Sequence, residues 1–154
     1  IILFVPVAVG QIVLPILSSI VNDDNRKYWK VLKINILINL VVSLVIVLLV
    51  ALFSRYIMSA YGEGFDDTTT LIVLSSSAIF SAVSNVVGSA IASRAKMWVG
   101  FIFNMIWAIL VIAFTKIFLG MGYGALAIAL SFLCSYILHT VYQYIYLYYM
   151  VKMK

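Results

Sequence analysis

The sequence predicts an all-α integral membrane protein, and three global properties lead to that prediction. Of the 154 residues, 66% are apolar and only 10% are charged, and the mean hydropathy is +1.19. A soluble domain of this size would need more polar side chains to cover its surface. The long segments are also apolar all round rather than on one face, which is typical of helices in lipid. We therefore expect a single transmembrane domain over residues 1–154.

Five apolar segments are long enough to cross a bilayer core, which requires about 20 helical residues. They cover residues 2–21, 35–53, 70–92, 98–118 and 124–147. Lipid offers the backbone no hydrogen bonds, so each span must be a helix or part of a closed barrel. Runs such as LVVSLVIVLLVALF lack the alternation of barrel strands. The five spans are therefore predicted to be helices.

The first span contains two prolines, Pro6 and Pro15, with Gly10 and Gln11 between them. A proline inside a helix removes one backbone hydrogen bond and bends the axis. In a transporter with alternating access such a bend would serve as a hinge, whereas a static bundle would only tolerate it. Pro6 and Pro15 are therefore hinge candidates, with both interpretations open.

A basic segment, NDDNRKYWKVLKIN, separates the first two spans and carries four cations with Tyr28 and Trp29. This composition is typical of a segment that lies in the membrane interface against anionic lipid headgroups. The same cations could instead gather a diphosphate-bearing lipid at the mouth of a cavity. Asp23 and Asp24 are suited to capping the helix that begins there.

The basic residues predict the orientation, because lysine and arginine near span ends stay on the cytoplasmic side. Two of the ten, Arg55 and Lys116, lie on the outer side with the acidic loop that contains Glu63, Asp66 and Asp67. The other eight follow the first, third and fifth spans: Arg26, Lys27, Lys30, Lys33, Arg94, Lys96, Lys152 and Lys154. We therefore expect the chain to end in the cytoplasm, where the tyrosines of the last turns would form an aromatic belt.

The ends of the chain and its cysteine content add two expectations. The chain starts at Ile1 with an apolar run and no basic n-region, which indicates a cut within a longer protein rather than a signal peptide. The single cysteine, Cys134, lies in an apolar run. An intrachain disulfide is therefore excluded.

The third span carries uncharged polar and small residues on one helix face. These residues are Ser77, Ser81, Ser84, Gly88 and Ala92. They recur at three- and four-residue steps and therefore share one side of a helix. Asn85 lies beside them. This face is predicted to avoid lipid, either by packing against another helix or by lining a polar cavity. Arg94 follows at the inner end, as a positive-inside anchor or as a bidentate ligand for phosphate.

Two other spans contribute polar candidates. Ser131, Ser135 and His139 share a face of the fifth span, and Gln143 follows one step later. A lone histidine in a span is either a hydrogen-bonded packing residue or a proton carrier. The fourth span adds Asn104. The predicted substrate pathway comprises Ser81, Asn85, Arg94, Asn104 and His139, and no catalytic, cofactor-binding or metal-binding residue is predicted.

The spans and loops occur in a characteristic order. LPILSSIVNDD ends one span, a basic linker and another span follow, and the short YGEGF loop leads to GSAIASRAKMWVGFIFNMIWA. In this order and spacing the chain resembles the multidrug/oligosaccharidyl-lipid/polysaccharide exporter superfamily. Within it, almost the whole chain is similar to the C-terminal part of the Wzx-type O-antigen or capsule flippases.

The resemblance implies a longer parent with two lobes around a central cavity that opens alternately to each side, of which this chain forms most of one lobe. It implies a substrate of undecaprenyl diphosphate carrying an oligosaccharide, turned across a bacterial inner membrane for lipopolysaccharide or capsule biosynthesis. The implied partners are this lipid-linked oligosaccharide, membrane lipids, the N-terminal half of the same chain, and polysaccharide polymerase and ligase machinery; no nucleic acid and no cofactor are expected. In such flippases the cations that hold the diphosphate lie largely in the other lobe, and no arginine here lies within a span.

Three alternatives stay open at the level of sequence. A multidrug extruder of the same superfamily would place an ion-binding carboxylate in a span of one lobe, and these five spans hold none. A membrane-bound polysaccharide polymerase requires a large arginine-rich outer loop, whereas the outer loop covers only residues 54–69. A membrane acyltransferase requires a second catalytic group beside His139. The acidic outer loop has too few oxygen ligands in a recognised spacing for calcium.

Overall fold

The computed structural model describes residues 4–20, 25–62 and 67–152, with side chains from residue 12 onward, and its regular elements are all α-helices. The prediction of an all-α fold is therefore confirmed for the described residues. In chain order the helices are α1 (Phe4–Ile20), α2 (Asn25–Leu52), α3 (Ser54–Ser59), α4 (Thr68–Ala92), α5 (Met97–Gly120) and α6 (Ala125–Lys152).

Four helices, α2, α4, α5 and α6, are long and apolar enough to cross a membrane. They confirm a multi-pass membrane protein. The remaining long helix, α1, has 17 residues, which is short of the roughly 20 that a bilayer core requires. The described residues therefore support four of the five predicted spans.

From Asn25 onward, the basic segment between the first two spans is helical and continuous with the second span. We predicted a separate interfacial segment followed by a span from residue 35, whereas α2 runs unbroken from Asn25 to Leu52. Tyr28 and Leu32, one turn apart, are fully buried, so packing holds the first turns of α2 in helical form despite their charge. The predicted cap residues Asp23 and Asp24 lie outside the described residues.

α4 occupies the centre of the bundle and packs against α1, α2, α3, α5 and α6. Its buried side chains are mostly small, among them Ala78, Ala82 and Ala90. Small residues let helix backbones approach closely, which is how membrane helices gain packing energy without a hydrophobic driving force. The central position of α4 thus follows from its composition.

The apolar core is concentrated at one end of the bundle. There the last turns of α1, α4 and α6 meet the first turns of α2, with Leu17, Leu32, Val87 and Leu147 among the buried side chains. We call this the basic end, because seven of the lysines and arginines in the described residues belong to it: Arg26, Lys27, Lys30, Lys33, Arg94, Lys96 and Lys152. Arg55 and Lys116 belong to the opposite end of the helices, as predicted from their sequence positions.

Asp67 begins α4 at the end opposite the basic end. Its carboxylate accepts hydrogen bonds from the Thr70 hydroxyl and from the Thr70 backbone N–H, the latter at 2.9 Å. These bonds, led by the one from the hydroxyl, hold the pKa of Asp67 below its ordinary value. Asp67 is therefore an N-cap, while Glu63 and Asp66 of the acidic loop lie outside the described residues.

α5 forms an edge of the bundle and packs along α6. None of its residues is buried, and its outward side chains are large and apolar, such as Ile109 at 62% exposed. In a membrane such a face contacts acyl chains. The inner side of α5, which carries Asn104, lines the cleft described next.

Candidate functional site

A polar seam joins α4 to α6. Ser84 donates from Oγ to Gln143 Oε1 at 2.9 Å, and Thr140 donates from Oγ1 to the carbonyl of Phe80 at 3.1 Å. Buried polar side chains line both helices along this contact: Ser77, Ser81 and Ser84 on α4, and Ser131, Ser135, His139 and Gln143 on α6. The serine face predicted to avoid lipid therefore packs against the polar face of α6.

The seam opens into two adjoining cavities. The larger, about 480 Å³, lies nearer the basic end and reaches Gly88, Lys96 and Gln143. The smaller, about 300 Å³, extends to Ser81, Trp107 and Tyr136. Both are lined by Ser84, Asn85, Asn104 and His139. Together they form one cleft, which we call the polar cleft.

The lining of the polar cleft comes from four helices, α1, α4, α5 and α6. Asn104 and Trp107 of α5 are three residues apart, as are Tyr136 and His139 of α6, and each pair therefore lies on one helix face. α1 contributes Leu14 to the larger cavity. No one helix carries the site.

The two asparagines at the polar cleft are exposed, on α4 and α5 respectively. Within the described residues, neither Asn85 nor Asn104 has a hydrogen-bond partner for its side-chain amide. An amide in hydrocarbon without a partner costs several kcal/mol, about 4–8 for complete transfer. This side of the bundle is therefore built to face water, a polar ligand or another polar protein surface rather than lipid.

His139 is held by a chain of hydrogen bonds that ties α6 to α5. Tyr142 donates from Oη to the carbonyl of Phe103 at 2.9 Å, and His139 Nδ1 lies 2.5 Å from the same Oη. The phenol has a single hydrogen, which goes to Phe103, so Nδ1 must supply the hydrogen of the second bond. Nε2 of His139 is then left as an acceptor.

The electrostatic character of the polar cleft is nearly neutral. Among its described lining residues the only permanent charge is that of Lys96, where α5 begins. The remaining polar groups are amides, hydroxyls, an indole and an imidazole. The indole Nε1 of Trp107 is buried without a hydrogen-bond partner. The polar cleft can therefore donate and accept hydrogen bonds with an uncharged polar ligand.

Four of the five predicted pathway residues, Ser81, Asn85, Asn104 and His139, line the polar cleft. Arg94 is absent from that lining. Its guanidinium carbon lies 4.4 Å from the centroid of the Tyr28 ring, on the α2 side of α4. Arg94 Nε and Nη2 are buried there without hydrogen-bond partners.

The two hinge candidates lie in or beside the described part of α1. Pro15 is inside α1 and its side chain is exposed. It follows Leu14, which lines the larger cavity. The side chain of Pro6 lies outside the described residues.

The lining residues that the predicted pathway omits include Lys96, Trp107, Tyr136 and Gln143. The sequence already places Gln143 four residues after His139 on the same helix face, although the predicted pathway did not include it. Trp107 and Tyr136 carry no such signal, because aromatic residues in spans are ordinary packing residues.

The polar cleft has a consistent chemistry of neutral hydrogen-bonding groups, open on one side and set in an apolar bundle. Its residues come from widely separated parts of the chain, from Leu14 to Gln143. A search of protein-family models, curated proteins and solved structures finds no match for this chain.

Proposed function

We propose that this chain forms most of the C-terminal lobe of a flippase that turns an undecaprenyl diphosphate-linked oligosaccharide from the inner to the outer leaflet of a bacterial inner membrane. The observation that carries the proposal is the polar cleft, in which Ser81, Asn85, Asn104 and His139 converge although they come from three helices. Such a cluster of neutral polar groups in an apolar bundle suits a sugar headgroup. The resemblance in the order of spans and loops supports the same class.

A saccharide headgroup cannot cross hydrocarbon unaided, because its hydroxyls would lose their hydrogen bonds to water. The amides of Asn85 and Asn104 and the acceptor Nε2 of His139 can replace those bonds, since each amide offers donors and an acceptor and the imidazole nitrogen offers an acceptor. The lipid tail stays in the bilayer throughout, so no covalent step is required.

The exposed amides also define the side on which a second lobe would stand. In the proposed two-lobe arrangement, the N-terminal half of the parent chain covers this open side and α1 supplies the fifth span. The basic end then faces the cytoplasm. Lys96 stands at the inner mouth of the polar cleft, where the diphosphate would enter. Arg94 acts as an anchor on Tyr28.

The proposal is tested in a strain that lacks the full-length gene and is complemented with variants. Asn85→Ala and Asn104→Ala should each lower export of the lipid-linked oligosaccharide about tenfold, since a polar group left unpaired costs about 1–3 kcal/mol. The readouts are surface polysaccharide and undecaprenyl-linked repeat units retained at the inner leaflet. Asn35→Ala is the matched control, because Asn35 only donates to Val31 of its own helix at 2.9 Å.

The deletion strain itself decides between functions. Loss of surface polysaccharide with accumulation of lipid-linked repeat units supports the flippase. Normal polysaccharide combined with hypersensitivity to lipophilic cations would overturn it in favour of the multidrug extruder. Normal polysaccharide with no change in drug tolerance would overturn both.

Thiol labelling tests the polar cleft directly. In a Cys134→Ala background, Asn104→Cys should react with a water-soluble thiol reagent, whereas Ile109→Cys on the apolar side of the same helix should not. Equal protection at both positions would show that the polar cleft is closed to water.

A further inference from the structure

A cavity separate from the two that form the polar cleft lies on a different side of α6, at the basic end. Its volume is about 690 Å³, and it opens between the first turns of α2 and the last turns of α6. Residues that line it include Arg26, Trp29, Lys30, Lys33, Tyr144 and Tyr148. At 100° per residue, Tyr144 lies about 140° around α6 from His139. This cavity, which we call the basic pocket, is therefore separate from the polar cleft.

Both walls of the basic pocket are regular helix faces. Arg26, Lys30 and Lys33 of α2 recur at four- and three-residue steps, as do Tyr144 and Tyr148 of α6 at four. Trp29 joins the two walls, with ring centroids 6.3 Å from Tyr144 and 6.1 Å from Tyr148. The cavity floor is thus a cluster of three aromatic rings with cations along its side.

The charge in the basic pocket is all of one sign among its described lining residues. Lys30 and Lys33 lie on the same face of α2, so their like charges repel each other. Lys152 adds to this charge, with its Nζ 5.9 Å from the centroid of the Tyr148 ring. Arrangements of this kind are stabilised when an anion neutralises the cluster.

The surroundings of the basic pocket indicate that the anion carries acyl chains. Below Lys33 on the same face of α2, Leu37 and Leu44 are 59% and 45% exposed. On α6 the face below Tyr144 continues as Val141, also exposed. The cations therefore stand directly above two bare apolar helix faces. A free phosphate ion would use only the cationic half of such a site.

The positions of these cations along the axis of α2 also suit a headgroup phosphate. Arg26 and Lys33 are seven residues apart, so their backbones differ by about 10 Å along the helix axis at 1.5 Å per residue. Flexible lysine side chains can extend toward the interface while their stems remain in apolar surroundings. A headgroup phosphate at the membrane surface is therefore within the range of Lys30 and Lys33 together.

We propose that the basic pocket binds the phosphate of an anionic phospholipid, with Lys30 and Lys33 on the phosphate and the acyl chains along Leu37, Leu44 and Val141. The site does not depend on the proposed flippase function, because it lies on another side of α6 and recognises a membrane lipid rather than a transported one. Its role would be to hold α2 and α6 together at the headgroup level.

Lipid binding to the purified full-length protein tests the proposal, with native mass spectrometry as the readout. Phosphatidylglycerol should bind more tightly than phosphatidylcholine in the wild-type protein. Lys30→Gln/Lys33→Gln should weaken phosphatidylglycerol binding about fivefold for each lysine removed, and leave phosphatidylcholine unchanged. Lys27→Gln/Arg55→Gln removes the same charge from exposed positions outside the pocket and should retain wild-type affinity.

Three outcomes would overturn the proposal. An equal loss in both double variants would mean that only overall charge matters. Displacement of the lipid by millimolar inorganic phosphate would assign the site to a free anion. Equal affinity of the wild-type protein for the two lipids would remove the charge recognition. Should the lysine double variant lose its thermal transition, Lys33→Gln is compared with the charge-retaining Lys33→Arg, and only the former should lose affinity.

Discussion

Among individual residues, Tyr28 shows most clearly how one side chain fastens two helices. It is fully buried, and its hydroxyl donates to the carbonyl of Ala90 at 2.9 Å across 62 residues of sequence. The Ser93 hydroxyl also donates to that carbonyl, at 2.8 Å. Above the ring lies the guanidinium of Arg94. The residue therefore joins the beginning of α2 to the end of α4 by packing, hydrogen bonding and a cation–π contact.

Substitutions of Tyr28 should separate these contributions. Tyr28→Phe should lower the free energy of unfolding by about 1 kcal/mol, because one hydrogen bond is lost while Ser93 still satisfies the carbonyl. Tyr28→Ala should cost about 3–5 kcal/mol, since it also leaves a cavity and removes the ring beneath Arg94. Unfolding in detergent measures both. Tyr56→Phe, at a tyrosine that is 78% exposed, is the control and should be neutral; a neutral Tyr28→Ala would show that the ring is not an anchor.

The placement of Arg94 shows why residue roles are hard to predict from sequence. Its position after a serine-bearing span suggested a phosphate ligand or an anchor at the inner leaflet. The partner that decides its location, Tyr28, comes from a segment that the sequence predicted to lie in the membrane interface, outside the second span. Contacts between residues so far apart in the chain leave no local pattern.

At the scale of elements, the contact between α4 and α6 depends on small side chains. The two hydrogen bonds across the seam join residues 59 and 60 positions apart, so α4 and α6 run in the same direction with a constant offset. At that offset Ser135 of α6 comes level with Ser75 of α4, and both are buried. Because both positions are buried, a larger side chain at either would press against the facing helix.

We therefore expect Ser135→Leu to disrupt the seam. Overpacking a close contact costs about 1–3 kcal/mol of stability. Here it would also push α6 away from Ser84 and so disrupt the lining of the polar cleft. Thermal unfolding in detergent should show the loss of stability. Ser18→Leu, at an exposed position of α1, is the matched control. Equal melting temperatures for the two variants would contradict the close packing of α4 and α6.

The existence and type of the long helices could be predicted from sequence because lipid leaves the backbone few alternatives. Their ends were less predictable. The first turns of α2 combine lysines with aromatic residues, a composition that suits both an interfacial segment and a helix end, and only the burial of Tyr28 and Leu32 decides between them. The short helix α3 has no apolar periodicity from which it could be predicted.

The polar cleft could be predicted from sequence only in part. Ser81 and Asn85 follow a helical repeat, so their common face could be seen in the sequence. That Asn104 and His139 meet that face depends on how α5 and α6 pack, which hydropathy does not encode. Lys96 belongs to the site because the turn after α4 brings α5 back beside it.

At the scale of the whole molecule, charge asymmetry between the two ends of the helices predicts the orientation. A reporter fused after Lys154 should be cytoplasmic, and one inserted after Gly62 should be periplasmic, because lysine and arginine near short loops are retained inside. Alkaline phosphatase and green fluorescent protein fusions distinguish the two compartments. The reverse pattern would invert the proposed direction of entry into the polar cleft.

The constant offset of about 60 residues between α4 and α6 also bears on how the protein is made. When α4 leaves the ribosome, the partner for Ser84 has yet to be synthesised. Several other hydroxyls of α4, including those of Ser76 and Ser89, bond to carbonyls of their own helix and can enter the bilayer satisfied. The Ser84 hydroxyl lacks this hydrogen-bond partner until Gln143 has been synthesised. A nascent chain that stops before α6 therefore places the Ser84 hydroxyl in the membrane without its Gln143 partner.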